Sequence, residues 1–156
     1  MSRRYEFEVS ARSAAPVEVV WPLVGEAARW KEWSWMTRTG VVRQGDPPPD
    51  GVGALRHFGV GPGGSQEEVV AWEPPRHLAY VAVRGLPVRY YRADVFLEED
   101  PREGAPGTVV TWRGAVEALV PGTGALMTSA LRRMVRGFAT RVCAYAERQP
   151  RPLAEP

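Results

Sequence analysis

The chain is poor in the residues that usually carry chemistry. It has one cysteine, Cys143, two histidines, His57 and His77, and a single lysine, Lys31, in 156 residues. One cysteine makes no internal disulfide, which with the absence of a secretion-type start points to a reducing cytoplasm. Two isolated histidines and one thiol do not supply the grouped ligands a metal site needs, so no metal is expected. No stretch approaches the ~18 apolar residues of a spanning helix, so no integral membrane association is expected. G-x-S-x-G and phosphate-loop motifs are absent; the glycine-rich GVGPGG joins two strand-like runs and feeds no helix. The formal charge of +2 gives no reason to expect a nucleic-acid partner. No cofactor is expected.

What is present is a pattern for one soluble domain. The 44% hydrophobic and 24% charged fractions are those of a globular protein. Residues 1–149 read as one domain and 150–156, PRPLAEP, as a disordered tail. Tyr5, Phe7, Val9 and Ala11 alternate with Glu6, Glu8 and Ser10, which predicts a half-buried antiparallel strand. SAAPVEVVWPLV then changes to helical spacing, with Ser13 as a cap and Pro16 in the first turn. Pro22 should kink that helix and Gly25 end it, so a second short helix is expected from EAARWKEW. Strands follow over 36–43, 52–59, 65–73, 77–84, 89–98 and 107–117, separated by glycine- and proline-rich reversals. From Pro121 and Gly122 to about Arg148, Met127, Leu131, Met134, Phe138, Val142 and Tyr145 make one apolar stripe of a long helix.

This order, together with SAAPVEVVW, VGALRHF, EEVVAWEPPRHLAY and GTVVTW before the last helix, resembles the SRPBCC superfamily over roughly residues 4 to 148. That is the START-like, helix-grip group, and the branch it is most similar to is that of polyketide cyclases/dehydrases and lipid-transport proteins. The resemblance implies an α+β helix-grip fold: a curved seven-stranded antiparallel sheet wrapped around a long C-terminal helix, with two short helices between strands 1 and 2. It also implies a cavity between helix and sheet that holds a lipid, polyketide or other apolar metabolite, with cyclisation in some members.

Strand parity selects the cavity-facing side. Trp112 shares a face with Val110, Gly114 and Val116, whereas the other face carries Arg113 and Glu117, so Trp112 points in. The same reasoning turns Leu78, Tyr80 and Ala82 inward, with Tyr91, Ala93, Val95 and Leu97, and leaves Tyr90, Arg92 and Asp94 outside. Tyr80 and Tyr91 are then ligand hydrogen-bond donors or satisfied core tyrosines. If the GPG at 61–63 centres its hairpin, Arg56 sits opposite Glu68, either as a structural pair or as polar anchors in the cavity. His57 is a candidate for the cavity mouth, or a local hydrogen-bond partner; His77 after EPPR reads as an exposed turn. Cys143 reads as a buried structural thiol. Gly137 lets the long helix approach the sheet or leaves room in the cavity.

The stretch RWKEWSWM concentrates Trp30, Trp33 and Trp35 where the second helix passes into the second strand. Either it plugs the core or it forms an aromatic mouth, for which Trp33 and Trp35 are the candidates. The ligand-contacting set is therefore Trp33, Trp35, Arg56, His57, Glu68, Tyr80, Tyr91 and Trp112, with Met134 and Phe138 from the long helix. The leading function is binding of a hydrophobic small molecule by a monomer or homodimer. The alternative is an aromatase/cyclase-type enzyme, in which a tyrosine donates to an enolate and His57 or Glu68 takes a proton.

Overall fold

The computed structural model describes residues 3–102 and 106–153. Strand β1 (Arg4–Ser13) is followed by helix α1 (Val17–Gly25), a 3-10 turn (Ala27–Arg29) and helix α2 (Trp30–Trp33). Then come β2 (Arg38–Arg43), β3 (Leu55–Gly59), β4 (Ser65–Glu73), β5 (His77–Arg84), β6 (Val88–Asp100) and β7 (Gly107–Ala118). Helix α3 (Gly124–Glu147) closes the chain. Among the described residues the seven strands form one antiparallel sheet in the order β1-β7-β6-β5-β4-β3-β2. β1 and β7 close against α3, so the sheet grips that helix as expected. Of the tail, residues 150–153 are exposed and lie in no helix or strand, while 154–156 fall outside the described residues.

Alternation decides the inner face. Phe7 and Val9 of β1, Tyr91, Ala93, Val95 and Leu97 of β6, and Val110, Trp112 and Val116 of β7 are all buried. They meet Leu131, Val135, Phe138 and Val142 of α3 in one core. Burying a side chain of this size is worth roughly 1.5–3 kcal/mol, so a register slip in these strands would expose most of the core.

Four local expectations change. Ser13 does not cap α1: its hydroxyl donates to the Cys143 carbonyl at 2.9 Å, tying β1 to α3, and α1 starts after Pro16 with no side-chain cap. β2 begins at Arg38, not at residue 36, because Ser34 Oγ donates to the Trp30 carbonyl (2.7 Å) and accepts from the Met36 amide (3.2 Å). β3 begins at Leu55, not at residue 52: the Gly45, Gly51 and Ala54 amides bond within the 45–54 loop, although the Gly53 amide and the Ala54 carbonyl already bond Val69 of β4. His77 is also less exposed than expected; it bonds Asp94 Oδ1 at 2.8 Å and stacks on Phe96 on the outer face. Arg92 holds the same Asp94, and these two partners keep its carboxyl below the usual range even though burial acts the other way.

Because all pairs are antiparallel, the two ends of the sheet differ in what they gather. One end carries the β3–β4 and β5–β6 hairpin tips and the β7–α3 connection. The other carries α1, the 44–54 loop and the β4–β5 reversal.

Candidate functional site

A cavity of about 280 Å³ opens between α3 and the inner face of the sheet at the hairpin-tip end. Its rim is built by exposed Val60, Gly63 and Gly64 of the β3–β4 tip and by Gly85 and Leu86 of the β5–β6 tip. Gly85 adopts φ +94° and its α-carbon abuts Gly64, so a side chain there would meet the neighbouring tip as well as a strained backbone. The walls are apolar and aromatic: Trp30 from α2, Phe58 from β3, and Met134 and Phe138 from α3. The inner end is different, for there Glu67, Tyr80 and Tyr91 converge from β4, β5 and β6.

That inner end is a buried polar cluster. Trp112 Nε1 donates to Tyr80 Oη at 3.2 Å, one layer behind the cavity. The Tyr91 hydroxyl has no hydrogen-bond partner among the described residues. Both phenols are pushed upward, first by burial and then by neighbouring groups, Glu67 among them, so they stay protonated and available as donors. Glu67 is pushed up to about 7 by burial, although the positive charge of Arg56 pulls it down. Arg56 is fully buried, lies over the rings of Phe58 (5.2 Å) and Tyr80 (5.1 Å), and donates from Nη1 to the Gly25 carbonyl at 3.3 Å. Its Nε and Nη2 find no acceptor among the described residues. Such a guanidinium is stabilised by ring faces and by the nearby carboxylate, and it is costly if that carboxylate is removed.

Of the residues singled out in the sequence, Tyr80, Tyr91, Met134 and Phe138 line the cavity. Trp112 and Arg56 form the layer behind it. Glu68 is a correction: the β3–β4 register places Arg56 opposite Glu67 and Leu55 opposite Glu68. The connection from Gly59 to Gly64 has six residues, with Gly61 at φ +62°, so the hairpin is not centred on Pro62. One step of register exchanges the faces. Glu68 therefore points outward and pairs with Arg43 at 3.0 Å. His57 is corrected for the same reason. It shares the outer face with Leu55, away from the mouth, and its ring rests against Gly40.

The tryptophans divide between the two readings. Trp30 and Trp33 are buried, and their indole N–H groups donate to the Val24 and Leu23 carbonyls at 2.9 Å each, which locks the α1–α2 junction. Trp30 also touches Phe58 and Phe138 with ring centroids 4.7 and 5.2 Å apart, so it is Trp30 rather than Trp33 that forms cavity wall. Trp35 is partly exposed and stacks on Phe138 at 4.5 Å, above Gly137. Gly137 thus faces Trp35 and not the sheet, and a Cβ there would meet the indole only in ordinary contact at 3.4 Å. Trp35 backs the cavity wall from outside without lining it.

Glu67, Trp30 and Phe58 are the lining residues that the sequence pattern does not single out. Phe58 is legible in hindsight of parity, since it shares a strand face with Arg56. Glu67 is hidden only by the hairpin parity. Cys143 is buried and its thiol is pushed up to about 12, mainly by burial, which makes it inert as a nucleophile.

Among solved structures, the chain is similar to a START superfamily protein from Mycobacterium smegmatis at 12% identity and a TM-score of 0.76, covering 91% of this chain and 97% of that one. It is similar to the XoxI protein from Bacillus cereus at 14% identity and a TM-score of 0.72, covering 90% and 94%. A norcoclaurine synthase point mutant from Thalictrum flavum, bound to a transition-state analogue, aligns at 14% identity and a TM-score of 0.67, covering 94% and 96%. At these identities the likeness is one of fold. No curated protein matches the sequence significantly. The model of the family described as polyketide cyclase/dehydrase and lipid transport matches residues 4–147, nearly the whole gripped-helix domain, and the chain belongs to that family.

Proposed function

We propose that the protein binds a compact apolar molecule carrying one polar group, with that group held at the inner end of the cavity by Tyr91 and Glu67. The observation that carries this reading is the unpartnered Tyr91 hydroxyl beside the Glu67 carboxyl, at the bottom of an otherwise apolar space. A buried donor without a partner costs about 1–3 kcal/mol, which a ligand acceptor would recover. The volume of about 280 Å³ lies at the lower edge of the usual ~300–1,000 Å³, which suits one ring system or a short chain. Trp30, Phe58 and Phe138 offer ring faces to a flat body, and Met134 adapts to its outline.

The test is mass spectrometry of small molecules extracted from the purified protein, followed by titration of the recovered compound. Tyr91→Phe should weaken binding by about ten-fold, and Met134→Trp, which fills the cavity, should abolish it. An empty protein, or unchanged binding in Met134→Trp, would sink the reading.

A second reading rests on a separate feature of Glu67. A carboxyl near 7 beside two protonated phenols matches a proton acceptor paired with donors to a developing enolate, the requirements of an aromatase/cyclase-type reaction. It predicts that Glu67→Gln lowers turnover of a poly-β-ketone by at least about a hundred-fold while substrate affinity stays nearly constant. Equal losses in both favour binding alone.

A further inference from the structure

The hairpin-tip end of the molecule carries a surface that the cavity does not explain. Leu126, Val120, Val60 and Leu119 are 74%, 58%, 54% and 49% exposed there. Exposed aliphatic side chains scattered singly are ordinary, but these share one end of the sheet, in the β3–β4 tip, the β7–α3 connection and the first turn of α3. Val60 belongs to the cavity rim. The β5–β6 tip packs on the β3–β4 tip through Gly85 and Gly64, and Val88, just beyond it, pairs with Ala118, which leads into Leu119 and Val120. Leu126 lies in the first turns of α3 beside Met127, on the strip that continues to Arg133 next to the cavity-lining Met134.

Basic residues occupy the same end. Arg3, Arg38, Arg84, Arg89 and Arg133 are exposed, and none is in an ion pair among the described residues. Arg38 Nη2 donates to the Gly63 carbonyl at 3.0 Å, which fixes its stem against the rim. Arg3, Arg89 and Val120 line a separate depression at the same end of the sheet. Acidic groups are nearly missing: no aspartate or glutamate occurs in 33–45, 51–66, 82–93 or 118–146. The nearest on β1 and β7 are Glu6 and Glu117, and Glu117 is tied to Arg4. Unpaired guanidinium groups together with projecting aliphatic side chains at one end match the layering of a bilayer surface, with phosphates outermost and acyl chains beneath. Nucleic acid would reward the arginines but not Leu126 or Val120.

We propose that this end docks on a lipid bilayer bearing anionic headgroups, with the cavity mouth facing the membrane. The surface stands on exposure and charge alone, so it goes beyond the ligand-binding reading and can fail independently of it. Docked in this way, an apolar ligand would pass between bilayer and cavity without crossing bulk water.

Co-sedimentation with vesicles tests it. The protein should bind vesicles of phosphatidylcholine mixed with phosphatidylglycerol, bind pure phosphatidylcholine weakly, and release as salt is raised. Val120→Asp combined with Leu126→Asp should lower partitioning by about ten-fold or more. Arg89→Gln and Arg133→Gln should each lower it about five-fold. Arg43→Gln, at the opposite end, should leave it unchanged, and circular dichroism should be native for every variant. Absence of binding to the anionic vesicles would overturn the proposal, as would an Arg43→Gln loss equal to that of Arg89→Gln. So would a finding that the aliphatic pair dissociates a dimer of the chain without affecting vesicle binding, or that the arginine variants weaken RNA binding while the aspartate pair leaves both RNA and vesicle binding intact. Cavity-ligand affinity, measured without vesicles, should be unchanged in all four variants.

Discussion

The two ends of the sheet are made from the same strands yet finished in opposite ways. At the closed end, Ser13 bonds the Cys143 carbonyl, Thr108 Oγ1 donates to the Ala15 carbonyl at 2.8 Å, and Asp50 Oδ1 accepts from the Ala27 amide at 2.9 Å. α1 seats Val20, Leu23 and Val24 there with no exposure at all, and Trp21 meets Trp72 edge-on at 5.2 Å. Two arginines at this end are matched, Arg12 to Asp100 and Arg76 to Glu99. At the open end the reversals are rich in glycine, aliphatic side chains project, and Arg3, Arg38, Arg84 and Arg89 have no ion-pair partner among the described residues, Arg4 with Glu117 being the exception. The two ends thus differ in how completely they are satisfied: one is packed and paired, the other is left with unmet interactions that a second molecule can satisfy.

Four substitutions put this contrast to the test. The largest effect belongs to the closed end, where Leu97→Ala should cost about 2–5 kcal/mol in denaturant unfolding, because a fully buried side chain leaves a void. Next is Glu67 at the floor of the open end. Its folded value is raised from 4.5 to about 7, so its stabilising contribution is complete below about pH 4.5 and is lost as pH rises through 7. Glu67→Gln should remove that fall, so that the variant's stability stays level between about pH 4.5 and 8 while the parent's declines; a parallel pH profile would mean that the carboxyl is not desolvated as described. Met134→Ala should cost only about 1 kcal/mol, well below Leu97→Ala, since Met134 already borders empty space; equal costs at the two positions would erase the distinction between the ends. The smallest effect is expected for Arg43→Ala, about 0.5 kcal/mol, because its pair with Glu68 is well exposed.

Much of this contrast is legible in the amino-acid sequence. Clean alternation in β1, β6 and β7 gives the inner face correctly down to Tyr91 and Trp112, because one polar and one apolar face leave no choice of parity. The stripe of α3 is equally legible from Met127 to Val142. The β3–β4 hairpin is not, because LRHF mixes polar and apolar residues on both faces, and a run of glycines accepts either parity. That ambiguity exchanges Glu67 for Glu68 and turns His57 inward. The pattern favours Trp33 and Trp35 over Trp30 because a short helix turning into a strand hides which indole ends up against Phe58. The bare arginines of the open rim are not legible either, since charge pairing depends on strands far apart in sequence.

The polar groups of the cavity sit at its blind end, behind the aromatic walls. A guest held by Tyr91 and Glu67 must therefore enter head first and keep its tail toward the doorway. Homologues with longer tails would keep the same grip and simply protrude, so selection among them would fall to whatever surrounds the threshold, not to the pocket floor.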